Sequence, residues 1–334
     1  MLRRLIAHQI IKQPHTNTAQ LHLREDVLPI GSELTANLLE QLRESFLRRN
    51  PISGRFRSTG GTQPRFQQLL LRYLAAADDR TFISFTREAM EVLRGEMSRQ
   101  QLATGGYVIF AEYDANNTPF LLTAILSTLA QPTFDENLNL VASTTLDLDH
   151  LRHGARTRLE TVEENNDGVI HFISYRTAGV SEYFLDFIGC EAVARPDVQA
   201  NRLYSAINSW AQERELEENQ KLDLLARVHS HWQECRREQR PMTLTALANA
   251  MSPDDPQPLL THLGQEDIGL AGEFSPPPPS SMRRFVRFSF NANGLKLEFD
   301  RNEWENRITI NHQRRTLTIR NIPETLITAF DEGE

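Results

Sequence analysis

The stretch GGYVIFAEYDANNTPFLLTAILSTL, residues 105–129, constrains this chain more than any other. Two β-rich runs, 105–115 and 119–129, flank the dipeptide Asn116-Asn117. They read as a central hairpin closed by a tight turn. LIAHQIIK (5–12) and LHLREDVL (21–28), joined by the polar HTNTAQ, form a second β-ribbon. Two more strands are expected near Ser143–Leu148 and Gly168–Tyr175. Between and after these strands the apolar period changes to that of helices. Ser32 can cap a helix over 33–49, with Leu34, Leu38, Leu42 and Phe46 at four-residue spacing. A helix over 64–77 places Phe66, Leu69, Leu70, Tyr73 and Leu74 on one stripe and Arg65, Gln68 and Arg72 on another. A third helix, 81–102, buries Phe82, Phe85, Ala89, Val92, Leu93 and Met97, and SEYFLDFIG (181–189) closes the unit.

From Pro196 to about Gln265 the pattern is helical only, with PDDPQP (253–258) interrupting a shorter pair. FSPPPPSSM (274–282) reads as a semi-rigid extended linker. Beyond it the period becomes two: Val286, Phe288 and Phe290, then Leu295, Leu297 and Phe299, then Ile308 and Ile310, the turn NHQRR, and Leu317 and Ile319. A small antiparallel meander is expected, covered by a helix over 323–330. The fold class is therefore α+β. A mixed domain of antiparallel strands and helices spans 1–192, a helical segment 193–272, a proline-rich linker 273–282 and a small β meander with a C-terminal helix 283–334.

A chain of 334 residues, 40% hydrophobic and 24% charged, suits a folded soluble protein. No apolar run approaches the ~18 residues of a membrane span. The start, MLRRLIAHQIIKQPH, lacks a small-residue cleavage site and reads as mature structure. Two widely spaced cysteines, Cys190 and Cys235, make neither a zinc site nor a secreted disulfide framework, so a reducing cytoplasm is the default. Cys190 follows an apolar helix without an obvious histidine partner and reads as a buried, inert thiol.

The formal net charge is −8, yet SFLRRNPISGRFRSTGGTQPRF (45–66) holds five arginines and no acid. From Arg43 to Arg72 seven arginines face one acid, Glu44. Over the ~8 Å screening length of physiological salt, such a patch acts largely on its own account. The planar guanidinium suits phosphate, and only three of the 36 basic residues are lysine. Pro51, Gly54, Gly60 and Gly61 favour a loop, and the glycines would let backbone approach a ligand. Arg48, Arg49, Arg55, Arg57 and Arg65 are the candidate phosphate contacts, with Arg72 supporting from the adjacent helix. A solvated loop, or one paired to acids elsewhere, explains the same run, and GC-rich codon usage explains the arginine bias. A second basic region, Arg283–Arg320, sets nine cations against four acids, with Arg287, Lys296 and Arg320 placeable on the outer face of the meander. An ordinary charged solvent face explains this region equally well.

LDLDHLRH raises an enzymatic alternative. Asp147 and Asp149, two apart on a strand, share a face, and His150 could complete a hard-metal site of a metal-dependent nuclease or phosphoesterase. Asp149 as a helix cap is the structural alternative. His229 and His231 point apart on a helix and read as structural. No phosphate loop, HExxH, paired CxxC, G-x-S-x-G or G-x-G-x-x-G is present. No catalytic residue, cofactor or metal is therefore assigned.

The blocks IAHQIIK, GGYVIFAEY (105–113), TAILSTL (123–129), DENLNLVASTTLDLDHLRHGAR (135–156) and VSEYFLDFIG (180–189) resemble the YejK/NdpA family of bacterial nucleoid-associated proteins. GLKLEFDRNEWENRITINHQRRTLTIRNIPETL (294–326) is similar to that family's closing segment. Thr157-Arg158 after GAR departs from the family's apolar–acidic pair, and the arginine-rich stretch is more basic than the family's. The resemblance implies a cytoplasmic, nucleoid-located protein that binds duplex DNA with little sequence specificity and contacts type II topoisomerase subunits. It implies no catalytic residues. A protein-interaction adaptor, gripping acidic partners through the helical middle and the basic stretch, stands beside it. Symmetric dimers are the commonest assembly, and a homodimer would double the phosphate contacts.

Overall fold

The structure is a computed structural model describing all residues except 59–60, 174–181, 293–294, 301–302, 304–306, 312 and 332–334. Its elements are, in chain order, β1 (Leu2–Lys12), β2 (Ala19–His22), α1 (Glu33–Arg48), β3 (Ile52–Phe56), α2 (Arg65–Leu74), α3 (Asp79–Ser98), β4 (Gly106–Ala115), β5 (Thr118–Leu126), β6 (Thr128–Phe134), β7 (Leu140–Leu146), β8 (His153–Arg158) and β9 (Ile170–Phe172). They continue with α4 (Glu182–Ile188), β10 (Cys190–Ala192), α5 (Pro196–Glu213), α6 (Glu218–Arg237), β11 (Met242–Thr243), α7 (Leu244–Met251), α8 (Gln257–Leu263), β12 (Glu273–Phe274), α9 (Pro279–Val286), β13 (Arg287–Ala292), β14 (Leu295–Asp300), β15 (Ile308–Asn311), β16 (Thr316–Ile319) and α10 (Glu324–Asp331). The expected α+β class is what forms. Two compact units result: residues 1–195 with 242–245 and 260–275, and residues 196–241 with 246–259 and 276–334.

The first unit is built on one antiparallel sheet in the order β10-β3-β9-β8-β5-β4-β1-β2. Its heart is the expected hairpin, paired from Tyr107↔Leu126 to Ala115↔Thr118. Asn116 and Asn117 take φ of 48° and 64°, the left-handed backbone that a two-residue hairpin turn requires. Both faces of β4 are covered, and the two-residue period sorts its side chains. Val108 and Phe110 join Phe66, Leu70, Tyr73, Phe82, Phe85 and Phe187 from α2, α3 and α4. Ile109, Ala111 and Tyr113 join Leu39, Leu42 and Phe46 from α1 on the other side. Helix α3 starts two residues before its expected first turn, because Asp78 accepts from the Thr81 amide at 2.7 Å.

Three sequence expectations are corrected. The Arg/Gly/Ser stretch is partly strand rather than loop: β3 pairs with both β9 and β10. Gly54 marks close packing, not an opening toward a ligand. A methyl group there would lie 2.5 Å from the Phe172 ring and 2.6 Å from the Glu191 carbonyl. The run 119–129 breaks at Ser127, and β6 leaves the sheet to pair with β7 as a separate, largely exposed hairpin. The expected C-terminal antiparallel strands do form, among the described residues as the ladders β13–β14 and β15–β16.

In the second unit α5, α6 and α9 pack together around Leu203, Ile207, Leu225, Val228, Met282 and Phe285. The prolines do not stay extended to 282. Pro279 opens α9 at the first helical position, where its missing N–H costs nothing. Pro277 accepts from the Trp232 indole at 2.8 Å. His231 lies buried 3.4 Å from the Cys235 sulfur, and the His229 ring lies tilted against the Trp232 ring with centroids 5.0 Å apart. Both cysteines are free and buried, and burial pushes the Cys190 thiol up to about 12. No described helix is long and apolar enough to cross a membrane.

Candidate nucleic-acid interface

The six candidate arginines fall into three pairs, each organised by carboxylates distant in sequence. Arg48, ending α1, places Nη2 3.3 Å from Asp149 Oδ1, and Arg49 donates to the Asp149 carbonyl. On β3, Arg55 is directly opposite Glu191 of β10 in the ladder. Its Nε donates to Glu191 Oε1 at 2.9 Å and its Nη1 lies 3.4 Å from Asp167 Oδ1. Arg57 donates to Asp186 at 2.9 Å and to the Cys190 carbonyl at 3.0 Å. Arg65 and Arg72, seven apart on α2, converge on Glu88 of α3. The Arg72 hydrogen bond holds the Glu88 carboxyl below its usual range. Five of the six arginines thus face five carboxylates, Arg49 meeting only a backbone carbonyl, and most of the local field read from the sequence is cancelled.

These pairs remain wet. The side chains of Arg48, Arg55, Arg57, Arg65 and Arg72 keep between 41% and 59% of their exposure. Exposed pairs of this kind stabilise by only ~0–1 kcal/mol. A phosphate can therefore replace the carboxylate on any of these guanidiniums at little cost.

Asp147 and Asp149 do not converge. The Asp147 side chain is buried, and its Oδ1 accepts from the His150 amide at 3.1 Å and contacts His150 Nδ1 at 2.9 Å. This closes a local turn around His150. Asp149 points to solvent beside Arg48. A cavity of about 320 Å³ near them is lined by Gln41, Glu44, Arg48, Gln131, Asp147 and Asp149 among others. Among the described residues no three His, Cys, Asp or Glu side chains form a metal-binding group.

A different basic element was only partly legible. Arg287, placed on an outer face by the sequence, is held by Asp300 at 3.1 Å and Glu298 at 3.3 Å, and the Lys296 side chain lies outside the described residues. Arg314 and Arg315, in the turn joining β15 to β16, and Arg320, just past β16, are exposed. Among the described residues their side chains have no partner. The signal was present: RITINHQRRTLTIR (307–320) contains four arginines and no acid.

The family model described as nucleoid-associated protein YejK matches residues 6–327. The chain belongs to the YejK family of nucleoid-associated proteins. The match runs through both compact units of this YejK-family chain, confirming the family resemblance carried by its strand blocks. A nucleoid-associated protein of Pseudomonas aeruginosa is 31% identical over 328 residues, covering 97% of this chain and 96% of the relative. A second, from Metapseudomonas resinovorans, is 30% identical with 99% of both covered. A third, from Azotobacter vinelandii, is 30% identical over 97% of this chain and 96% of its own.

Proposed function

We propose that this YejK-family protein binds the backbone of duplex DNA with little sequence specificity, through arginine–phosphate contacts and without catalysis, in the cytoplasm at the nucleoid. Arg48, Arg49, Arg55, Arg57, Arg65 and Arg72 are its first candidate contacts. One observation carries the reading. All of these but Arg49 have exposed side chains held by surface ion pairs weak enough to exchange for phosphate. Guanidinium–phosphate contacts read charge and not base identity, which suits a protein that coats DNA of any sequence.

The test is a salt titration of duplex binding by the full chain. Changing Arg55 and Arg57 to alanine removes two contacts, so the slope of log K against log salt flattens by about 1.8 and affinity falls for every duplex. A double variant with unchanged affinity and slope removes this patch from the site. A wild-type chain that shifts no duplex at low salt removes the function.

The family resemblance also favours contact with type II topoisomerase subunits, which co-sedimentation after nuclease treatment would read. A homodimer is supported by the exposed apolar side chains of the β6–β7 hairpin, Phe134, Leu138 and Leu140. Sedimentation equilibrium of the wild type and of Phe134→Asp reads that assembly; a wild-type monomer at all concentrations excludes it.

A further inference from the structure

The β15–β16 ribbon is chemically sorted in a way no solvent face requires. Its register pairs Ile308 with Ile319, Thr309 with Thr318, Ile310 with Leu317 and Asn311 with Thr316. Directly opposed residues share a face, so one face is Ile308, Ile310, Leu317 and Ile319 and the other Thr309, Asn311, Thr316 and Thr318. The polar face continues by alternation to Arg307 and Arg320, joined where the Arg320 amide donates to the Arg307 carbonyl at 2.7 Å. Of the apolar face only Ile308 is buried; Ile310, Leu317 and Ile319 are exposed, as are Asn311, Thr316 and Thr318, so beyond Ile308 both faces of the ribbon are open to solvent and charge distinguishes the threonine side. The turn is built, not loose: the Arg314 amide donates to Asn311 Oδ1 at 2.9 Å, and Arg315 takes a φ of 54°.

The charges on this ribbon contrast with those on β3. Arg307 is already paired at the surface, with Glu303 at 3.2 Å and the Asn321 carbonyl at 2.7 Å. Arg314, Arg315 and Arg320 have no carboxylate opposite them among the described residues, and the run 307–320 supplies none. Two uncompensated guanidiniums at the tip and one at the root of a Thr/Asn face are what a polyanion selects.

We propose that this ribbon enters the major groove of duplex DNA, with Arg314, Arg315 and Arg320 on the flanking phosphates and the threonine hydroxyls on backbone and base edges. The proposal rests on the DNA-binding reading above. Geometry selects the duplex and the groove. The major groove of B-form DNA, about 12 Å wide, admits a two-stranded antiparallel ribbon. The corresponding groove of double-stranded RNA is too narrow. The ribbon's paired strands carry no aromatic side chain on which unpaired bases could stack. Threonine hydroxyls donate and accept alike, so the face discriminates weakly among base pairs.

The experiment uses the full chain with Arg314, Arg315 and Arg320 changed to glutamine. The side chains of all three are exposed and without a partner among the described residues, so an unchanged melting temperature is expected and reports folding directly. Duplex affinity should fall roughly 100-fold at 0.1 M salt, and the salt slope should flatten by about 2.7. A second variant, Thr316→Glu with Thr318→Glu, places carboxylates on the groove-facing side without touching the arginines and should weaken binding as well. A major-groove ligand such as methyl green should compete, and the minor-groove ligand netropsin should not. Wild-type binding with both variants unchanged overturns the ribbon while leaving the DNA-binding reading standing. Competition by netropsin alone overturns the groove, and tighter binding to double-stranded RNA overturns the choice of duplex. A wild type that binds no duplex fails the underlying reading instead.

Discussion

Arg55 and Glu191 sit directly opposite each other in the β3–β10 ladder, with Nε 2.9 Å from Oε1. The hydrogen bond to Glu191 is the largest cause holding the Arg55 guanidinium firmly protonated. The same pair that pins the sheet edge therefore holds back a cation from the surface field. Changing Glu191 to Gln together with Asp167 to Asn should release it. Duplex affinity at low salt should rise several-fold, and the salt slope should steepen by about 0.9 for one added phosphate contact. Equal affinity and slope in wild type and variant would show that Arg55 never meets phosphate.

Glu266 is the centre of a buried charge cluster that anchors the 260–275 segment onto the sheet. It accepts from Tyr113 at 2.8 Å and from Arg43 at 3.1 Å, and lies 3.1 Å from the buried Arg156 guanidinium. Arg156 also rests over the Phe46 and Phe120 rings. Alanine at 266 leaves a guanidinium uncompensated in the interior, and a loss of about 3–5 kcal/mol is expected in urea unfolding. Glutamine, which still accepts from Tyr113, should cost less. A Glu266→Ala chain within about 1 kcal/mol of wild type would dismiss the cluster as a stabilising element.

Gly54 should not tolerate a side chain. The Glu191 carbonyl and the Phe172 ring occupy the space of its Cβ. Gly54→Ala must displace strand backbone and is expected to destabilise by about 1–3 kcal/mol. The displaced edge carries Arg55, so duplex affinity should drop as well. Wild-type stability in this variant would contradict the packing described for β3.

His8 gives the fold a pH dependence. Its Nδ1 accepts the Arg24 amide at 3.2 Å, which leaves Nε2 as the donor to Thr86 at 3.0 Å. Burial, reinforced by Arg87 and Arg24, pushes its pKa down to about 4 from 6.5. Between those values the unfolded chain takes up a proton that the folded chain refuses, so stability falls as pH drops through that window. The loss approaches about 3 kcal/mol at pH 4. His8→Gln should flatten the dependence of the urea midpoint between pH 6.5 and 4.5. An identical dependence in the variant would assign it to other groups.

Much of the scaffold was legible because its signals are local. The hairpin around Asn116-Asn117, the α2 and α3 stripes and the α10 helix follow from side-chain period and turn chemistry within a few residues. The β3 strand was not, because Ile52–Phe56 becomes extended only by pairing with β9 and β10, whose residues lie more than a hundred positions away. The β6–β7 hairpin is local, but Pro132 and the break at Ser127 obscure its strand signal. The basic turn at Arg314-Arg315 could be found from composition, but not the register that puts Thr309, Thr318 and Arg320 on one side of it.

The order of residues alone determined the α+β class, the family and the places where arginines accumulate, since each depends on which side chains recur at which spacing. Only the tertiary structure decided which of those arginines keep their charge toward solvent. Arg55 and Arg57 meet carboxylates brought in from 136 and 129 residues away, whereas Arg314 and Arg315 meet none among the described residues. The physical reason is range: period and turn chemistry act along the chain, but charge is cancelled through space.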